Sequence, residues 1–208
     1  MRLPRELDPA EIRVLGCLLE KESTTPDAYP LTLKSLVSAC NQKSSRSPVM
    51  QLSEADVRAT LDRLHQEVLV WPVSGARVER WRHALNRQWD LDGPAHAVMA
   101  LLLLRGPQTV GALRNRAERM YPFSNNDEVE VTLEALRQGE EPLTVLLQRR
   151  PGQNEPRWMH LVGGEPDEAS LATVEETTRG SSLAQRVADL EKRMAQLEAT
   201  LSSSSTDS

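Results

Sequence analysis

Apolar residues stand at i, i+4 and i+7 in Val57 to Leu64, and the same spacing returns 72 positions later in Val129 to Leu136, so both stretches read V-x-x-T-L-x-x-L. Residues so spaced line one face of a helix. The two stretches therefore predict the same amphipathic helix docked on the same kind of core. Their flanks repeat as well: Leu7-Asp8 matches Leu91-Asp92, Thr32-Leu33-Lys34-Ser35-Leu36 is echoed by Thr109-Val110-Gly111-Ala112-Leu113, and Arg80-Trp81-Arg82-His83 by Arg157-Trp158-Met159-His160. The offsets of 84, 77 and 77 differ as they should when loops differ in length between two copies of one domain.

Around these anchors the polar and apolar positions predict an order of elements. Asp8-Pro9-Ala10-Glu11 is a D-x-x-E relative of the capping box with Pro at the first helical position. It opens a first helix that buries Ile12, Leu15, Leu18 and Leu19 and stops near Ser23, ahead of Thr24-Thr25-Pro26. A second helix runs from about Thr32 to Asn41. After a polar connector, Gln42 to Met50, Ser53 caps a third helix that reaches about Gln66. Val68 to Val73 and Arg77 to Leu85 then read as two strands turning around Ser74-Gly75.

The second half predicts helices over about Pro94 to Arg105, Thr109 to Met120 and Asn125 or Asn126 to Gln138. Strands follow at Leu143 to Gln148 and Arg157 to Leu161. Three helices and a hairpin, in that order, define the winged-helix variant of the helix-turn-helix. The predicted fold is mostly α with small β-hairpins, an α+β class. It comprises winged-helix domain 1 (1–90), winged-helix domain 2 (91–164), an acidic linker (165–180), a coiled-coil helix (181–201) and a disordered tail (202–208).

In the coiled-coil stretch the period changes. Leu183, Val187, Leu190, Met194, Leu197 and Leu201 are spaced alternately by four and three, a heptad seam. Arg186 and Arg193 at g precede Glu191 and Glu198 at e by five, the register of a parallel two-stranded coil. The seam predicts a homodimer, with a helix folded back on its own chain as the alternative.

Composition narrows the function classes. Aromatic residues make up only 3% of 208, so Leu, Val, Ala and Met carry the packing. No run approaches the roughly 20 apolar residues that span a bilayer, and Met1 to Asp8 lacks the apolar core of a secretion signal. Cys17 and Cys40, 23 positions apart with no C-x-x-C, fit a reducing cytoplasm. The net charge of −5 resides in the tail: residues 1–90 hold 13 Lys and Arg against 12 Asp and Glu, residues 91–164 hold 8 against 9, and residues 165–208 hold 4 against 9.

At the level of particular residues the chain resembles the YceH-like family of bacterial proteins. The resemblance rests on Leu15-Gly16-Cys17-Leu18-Leu19-Glu20-Lys21, Thr25-Pro26, Tyr29-Pro30-Leu31, and Ala39-Cys40-Asn41-Gln42-Lys43 with Arg46 and Pro48-Val49-Met50. In the second half it rests on Leu101 to Gly106, Gln108-Thr109, Leu113-Arg114, Arg116-Ala117 and Met159-His160-Leu161. It covers about Leu7 to Leu161 and implies tandem winged helices without an established activity.

A helix-turn-helix places its third helix in the major groove while loops and wing hold phosphates. That geometry nominates Lys43 and Arg46 in the connector, Arg58 and Arg63 on the third helix, and Arg77, Arg80 and Arg82 on the hairpin as contacts to double-stranded DNA. Glu54, Asp56 and Asp62 on the same helix oppose them. In the second half Asp127, Glu128, Glu130 and Glu134 face Arg137 alone, which suits packing or a protein partner better than DNA. The rival reading is a protein-interaction scaffold without DNA contact. An enzyme has little support: the repeated Trp-x-His reads as a core anchor with a hydrogen-bonded neighbour, and no phosphate loop or nucleophile-and-base pair occurs. No cofactor and no metal site is expected, with His65 and His96 placed away from the hairpin histidines.

Overall fold

A computed structural model describes residues 5–73, 78–149, 153–166 and Met194. The described residues have an α+β fold with seven α-helices and short antiparallel strand pairs. The repeat is written into the helix caps. Asp8 accepts from the Ala10 and Glu11 amides at the head of α1 (Pro9–Thr24), and Thr32 accepts from Ser35 N–H at the head of α2 (Leu33–Cys40). Ser53 accepts from Asp56 N–H at α3 (Glu54–Gln66). Strand β1 (Leu31–Thr32) precedes α2, and β2 (Val70–Val73), β3 (Arg80–His83) and the short α4 (Leu85–Gln88) complete the first half.

In the second half Asp92, Thr109 and Asn125 cap α5 (Gly93–Arg105), α6 (Val110–Ala117) and α7 (Asn126–Arg137), followed by β4 (Thr144–Leu147) and β5 (Arg157–His160). Each cap supplies an acceptor to amides that the first helical turn leaves unpaired, which is why short polar residues recur at these points. The shared Thr of V-x-x-T-L-x-x-L does the same thing twice: Thr60 Oγ1 donates to Asp56 O and Thr132 Oγ1 to Glu128 O, both at 2.8 Å. Val57, Leu61 and Leu64, and Val129, Leu133 and Leu136, are buried as the spacing predicts.

The strands form a three-stranded sheet ordered β1-β3-β2 and a two-stranded sheet β4-β5. Leu31 pairs with Trp81 and Thr32 with Arg80, while in the second half a lone bridge from Gln108 to Trp158 takes the place of β1. Three expectations change. The helix expected to reach Met120 ends at Ala117, where Met120 and Tyr121 N–H both turn back onto Ala117 O ahead of Pro122. The strand expected to reach Leu85 ends at His83, and α4 begins in its place. The two-residue β1 falls below the length at which alternation is readable.

The two halves meet through their first helices. Helix α5 is buried on every side from Ala95 to Leu104, and α1 is buried from Val14 to Leu19. Gly16 faces this contact, where an added Cβ would stand 3.0 Å from Leu103 Cβ and from the Leu104 side chain. Backbone bonds between residues far apart in the chain tie the halves together, Ser47 N–H to Leu104 O at 2.9 Å and Leu7 N–H to Val162 O at 2.8 Å. Of the heptad residues, Leu183, Val187, Leu190, Leu197 and Leu201 lie outside the described residues, as do most of the linker and the tail; Met194 is helical and exposed. No helix among the described residues is long and apolar enough to cross a membrane.

Candidate functional site

The seven residues nominated for DNA contact separate into distinct environments. Arg46 is turned inward, with its guanidinium bidentate on Glu20 at 3.0 and 2.6 Å and its Nε donating to Ala39 O at 3.0 Å. Burial alone would raise the Glu20 carboxyl, but the Arg46 guanidinium outweighs it and holds Glu20 below the usual carboxylate range. Arg46 thus stands inside the connector rather than at its surface, because the connector is folded inward. Asn41 clamps both backbone groups of Leu52 at 2.8 Å, Arg13 donates to Cys40 O and Pro48 O, and Ser47 is tied to α5. A charge in such a loop goes where it is paired, since an unpaired buried charge is expensive.

The arginines of α3 are exposed but engaged. Arg63 pairs with Asp8 and with the buried Glu11, both at 2.9 Å. Burial opposes ionisation of Glu11, yet Arg5, Arg63 and the Asp8 amide together hold its carboxyl down at about 2. Arg58 pairs with Glu79 and Asp62 and lies 5.6 Å over the Trp81 ring. On the hairpin, Arg80 donates to Pro30 O at 2.7 Å and Ala28 O at 3.3 Å, which fixes β3 against the loop before β1. Lys43 and Arg82 are exposed and make no ion pair among the described residues. Arg77 lies outside the described residues.

The outer face of α3 therefore carries Glu54, Asp56 and Asp62 against Arg58 and Arg63. On α7 the outer face carries Asp127 and Glu130 around Val131, which is 70% exposed. Arg137 is drawn to Glu134 at 2.9 Å.

The hairpin histidines have unlike surroundings. His160 is buried with no partner for its Nδ1 among the described residues, and burial pushes its protonation down to about 4. His83 is also buried, but its Nε2 meets Glu22 Oε2 at 2.9 Å and its Nδ1 accepts from Leu85 N–H at 3.2 Å. His96, expected elsewhere in the fold, comes to the same place, because α5 begins beside the end of β3. Its Nδ1 lies 3.7 Å from Glu22 Oε2 and 2.9 Å from Asn86 Oδ1, and its Nε2 meets Leu19 O at 2.9 Å. One ligand atom each from Glu22, His83 and His96 lies within 4.8 Å of the others. Beside them a pocket of about 450 Å³ is lined by Glu22, Tyr29, Arg82, His83, Asn86 and Arg87. The sequence signal for this trio is weak, since its members are 61 and 13 positions apart.

The family described as "Protein of unknown function, DUF480" matches residues 7–153. The chain is 50% identical over 196 residues to a UPF0502 protein of Chromobacterium violaceum, covering 93% of this chain and 88% of the relative. It is 47% identical over 207 residues to one of Acidovorax, covering 95% and 92%. A relative from Geobacter sulfurreducens is 46% identical over 193 residues, covering 92% and 87%. Identity at this level across both halves and their junction means that the chain belongs to the UPF0502 (DUF480) family of bacterial proteins.

Proposed function

We propose that the chain is a tandem winged-helix protein that acts by binding rather than by catalysis, and that its principal partner is another protein. The charge on the two third helices carries this reading. A groove-entering helix gains affinity by releasing counterions from phosphates. On α3 three exposed carboxylates oppose two guanidinium groups, and both guanidinium groups already hold carboxylates of their own chain. On α7 the balance is more acidic still. Its Val131 and Ala135, one turn apart and exposed among Asp127, Glu130 and Glu134, suit a basic segment with an apolar centre.

A second reading is supported by Lys43 and Arg82, exposed and free of ion pairs among the described residues, which leave the first half a means of touching phosphate. The heptad of residues 183–201 belongs to the same proposal as a homodimer seam.

A photo-crosslinker placed at position 131 in living cells tests the principal reading. It is expected to trap one protein product that is lost when Glu130 and Glu134 are changed to Arg. If that product is absent and the purified chain instead binds duplex DNA with a steep salt dependence that K43A and R82A flatten, the DNA reading replaces it.

A further inference from the structure

We propose that Glu22, His83 and His96 bind a divalent transition-metal ion of the zinc class at the seam between the two halves of the chain. Glu22 comes from the end of α1 and His83 from the end of β3, both in the first half, while His96 stands in the first turns of α5 in the second. Both imidazoles are buried and the carboxylate is half-buried at the edge of the pocket.

The hydrogen-bond pattern asks for a cation. His96 Nε2 donates to Leu19 O, so in the neutral ring Nδ1 carries a lone pair. That lone pair faces two oxygens, Asn86 Oδ1 at 2.9 Å and Glu22 Oε2 at 3.7 Å. Exchanging the two ends of the Asn86 amide does not help. Its nitrogen would then serve His96, but its oxygen would face Glu22 Oε2 at the 3.3 Å now bridged by an N–H. In either arrangement one pair of acceptors stays in contact, at 2.9 or 3.3 Å, with Ser23 Oγ 3.3 Å from His96 Nε2 on the far side of the ring, and a cation among these atoms would relieve it.

The donor set names the class of ion. Two imidazole nitrogens and one carboxylate oxygen suit zinc and its neighbours better than magnesium or calcium, which take oxygen. Bonds of about 2.0–2.1 Å in a tetrahedron put ligand atoms about 3.4 Å apart. The separations here are 2.9 Å for Glu22 to His83, 3.7 Å for Glu22 to His96, and no more than 4.8 Å for any pair. Side-chain rotations therefore suffice to close the set. The contact from His96 Nε2 to Leu19 O is the outer hydrogen bond that commonly orients a metal-binding imidazole. At His83, binding through Nε2 moves the ring proton to Nδ1, so Leu85 N–H must give up its 3.2 Å contact. Two N–H groups then face each other at that point, a cost that the binding of a buried zinc offsets. The pocket lined by Arg82, Asn86 and Arg87 gives the ion a way in and leaves a fourth position for water.

The test is titration of the full chain, stripped with a chelator, with Zn²⁺ in competition with a chelating indicator. One ion per chain is expected, with a rise in melting temperature on loading and visible absorption bands when Co²⁺ replaces Zn²⁺. H96A and E22Q should each lose at least about tenfold in affinity, whereas H65A, which alters a histidine outside the trio, should lose none. E22Q keeps the shape and polarity of the side chain, so it carries the test even where H96A fails to fold. Failure to take up one equivalent, unchanged affinity in E22Q, or an equal loss in H65A would each overturn the site.

Discussion

Gly16 and Gly111 both lie inside helices, and replacing each by Ala separates the cost of close packing from the gain in helix propensity. Gly16 is in the middle of α1 against α5; Gly111 is in the first turn of α6 with nothing within 4 Å of an added Cβ. On an open helix the exchange stabilises by about 0.5–1 kcal/mol, since Ala loses less backbone freedom than Gly. G111A should show that gain. At Gly16 the new methyl stands 3.0 Å from Leu103 Cβ, an atom that moves only if α5 moves. Forcing a methyl into a packed core costs about 1–3 kcal/mol, so G16A should end neutral to about 2 kcal/mol destabilised. Urea unfolding of the two variants side by side, followed by circular dichroism, reads a gap of about 1–3 kcal/mol between them. G16L should widen it. If G16A gained as much as G111A, the close crossing of α1 and α5 would be wrong, and with it the joining of the two halves into one core.

The remaining predictions use the same kind of reasoning. R46A leaves Glu20 with Lys21 alone, at 3.2 Å, in a largely buried site and should cost about 3 kcal/mol of stability, while K43A stays within about 0.5 kcal/mol; equal losses in the two would contradict the inward course of the connector. Glu11 ionises at about 2 in the folded chain against its ordinary 4.5, so its contribution is fully present above pH 4.5 and is lost as pH falls toward 2. It amounts to about 3 kcal/mol. E11Q should therefore be less stable than the parent at pH 7 by that order and should converge with it at pH 2; a constant difference across the range would refute the Arg5 and Arg63 pairing. A chain ending at residue 166 should be monomeric by light scattering where the full chain is a dimer, and a full-length monomer would remove the heptad seam.

Elements with a period were legible in the sequence, and contacts between distant residues were not. V-x-x-T-L-x-x-L identified the buried faces of α3 and α7, and Asp8, Thr32 and Ser53 marked helix starts because a cap acts within four residues of itself. The heptad residues, apart from Met194, lie beyond what the structure describes. The inward course of Arg46 was not legible in the polarity of the Gln42 to Met50 connector, because what turns it is tertiary: the bond from Ser47 to α5 and the clamp of Asn41 on Leu52. The histidine trio was hidden for a related reason. His83 and its repeat partner His160 look equivalent in sequence, yet only His83 meets a carboxylate and a second imidazole, because α1 and α5 lie against that hairpin end.

The bond from Leu7 N–H to Val162 O gives the chain an order of events during its synthesis. The residue that precedes the first helix finds its backbone partner only after nearly the whole described chain has left the ribosome, and the inner side of α1 stays bare until α5 has emerged. At about 5–20 residues per second, the interval between residues 7 and 162 is on the order of ten seconds. Until α5 emerges, partway through that interval, the first half exposes a leucine-rich face. A nascent chain of this design has reason to be held by a chaperone until its second half arrives, even though each half carries its own caps, hairpin and third helix.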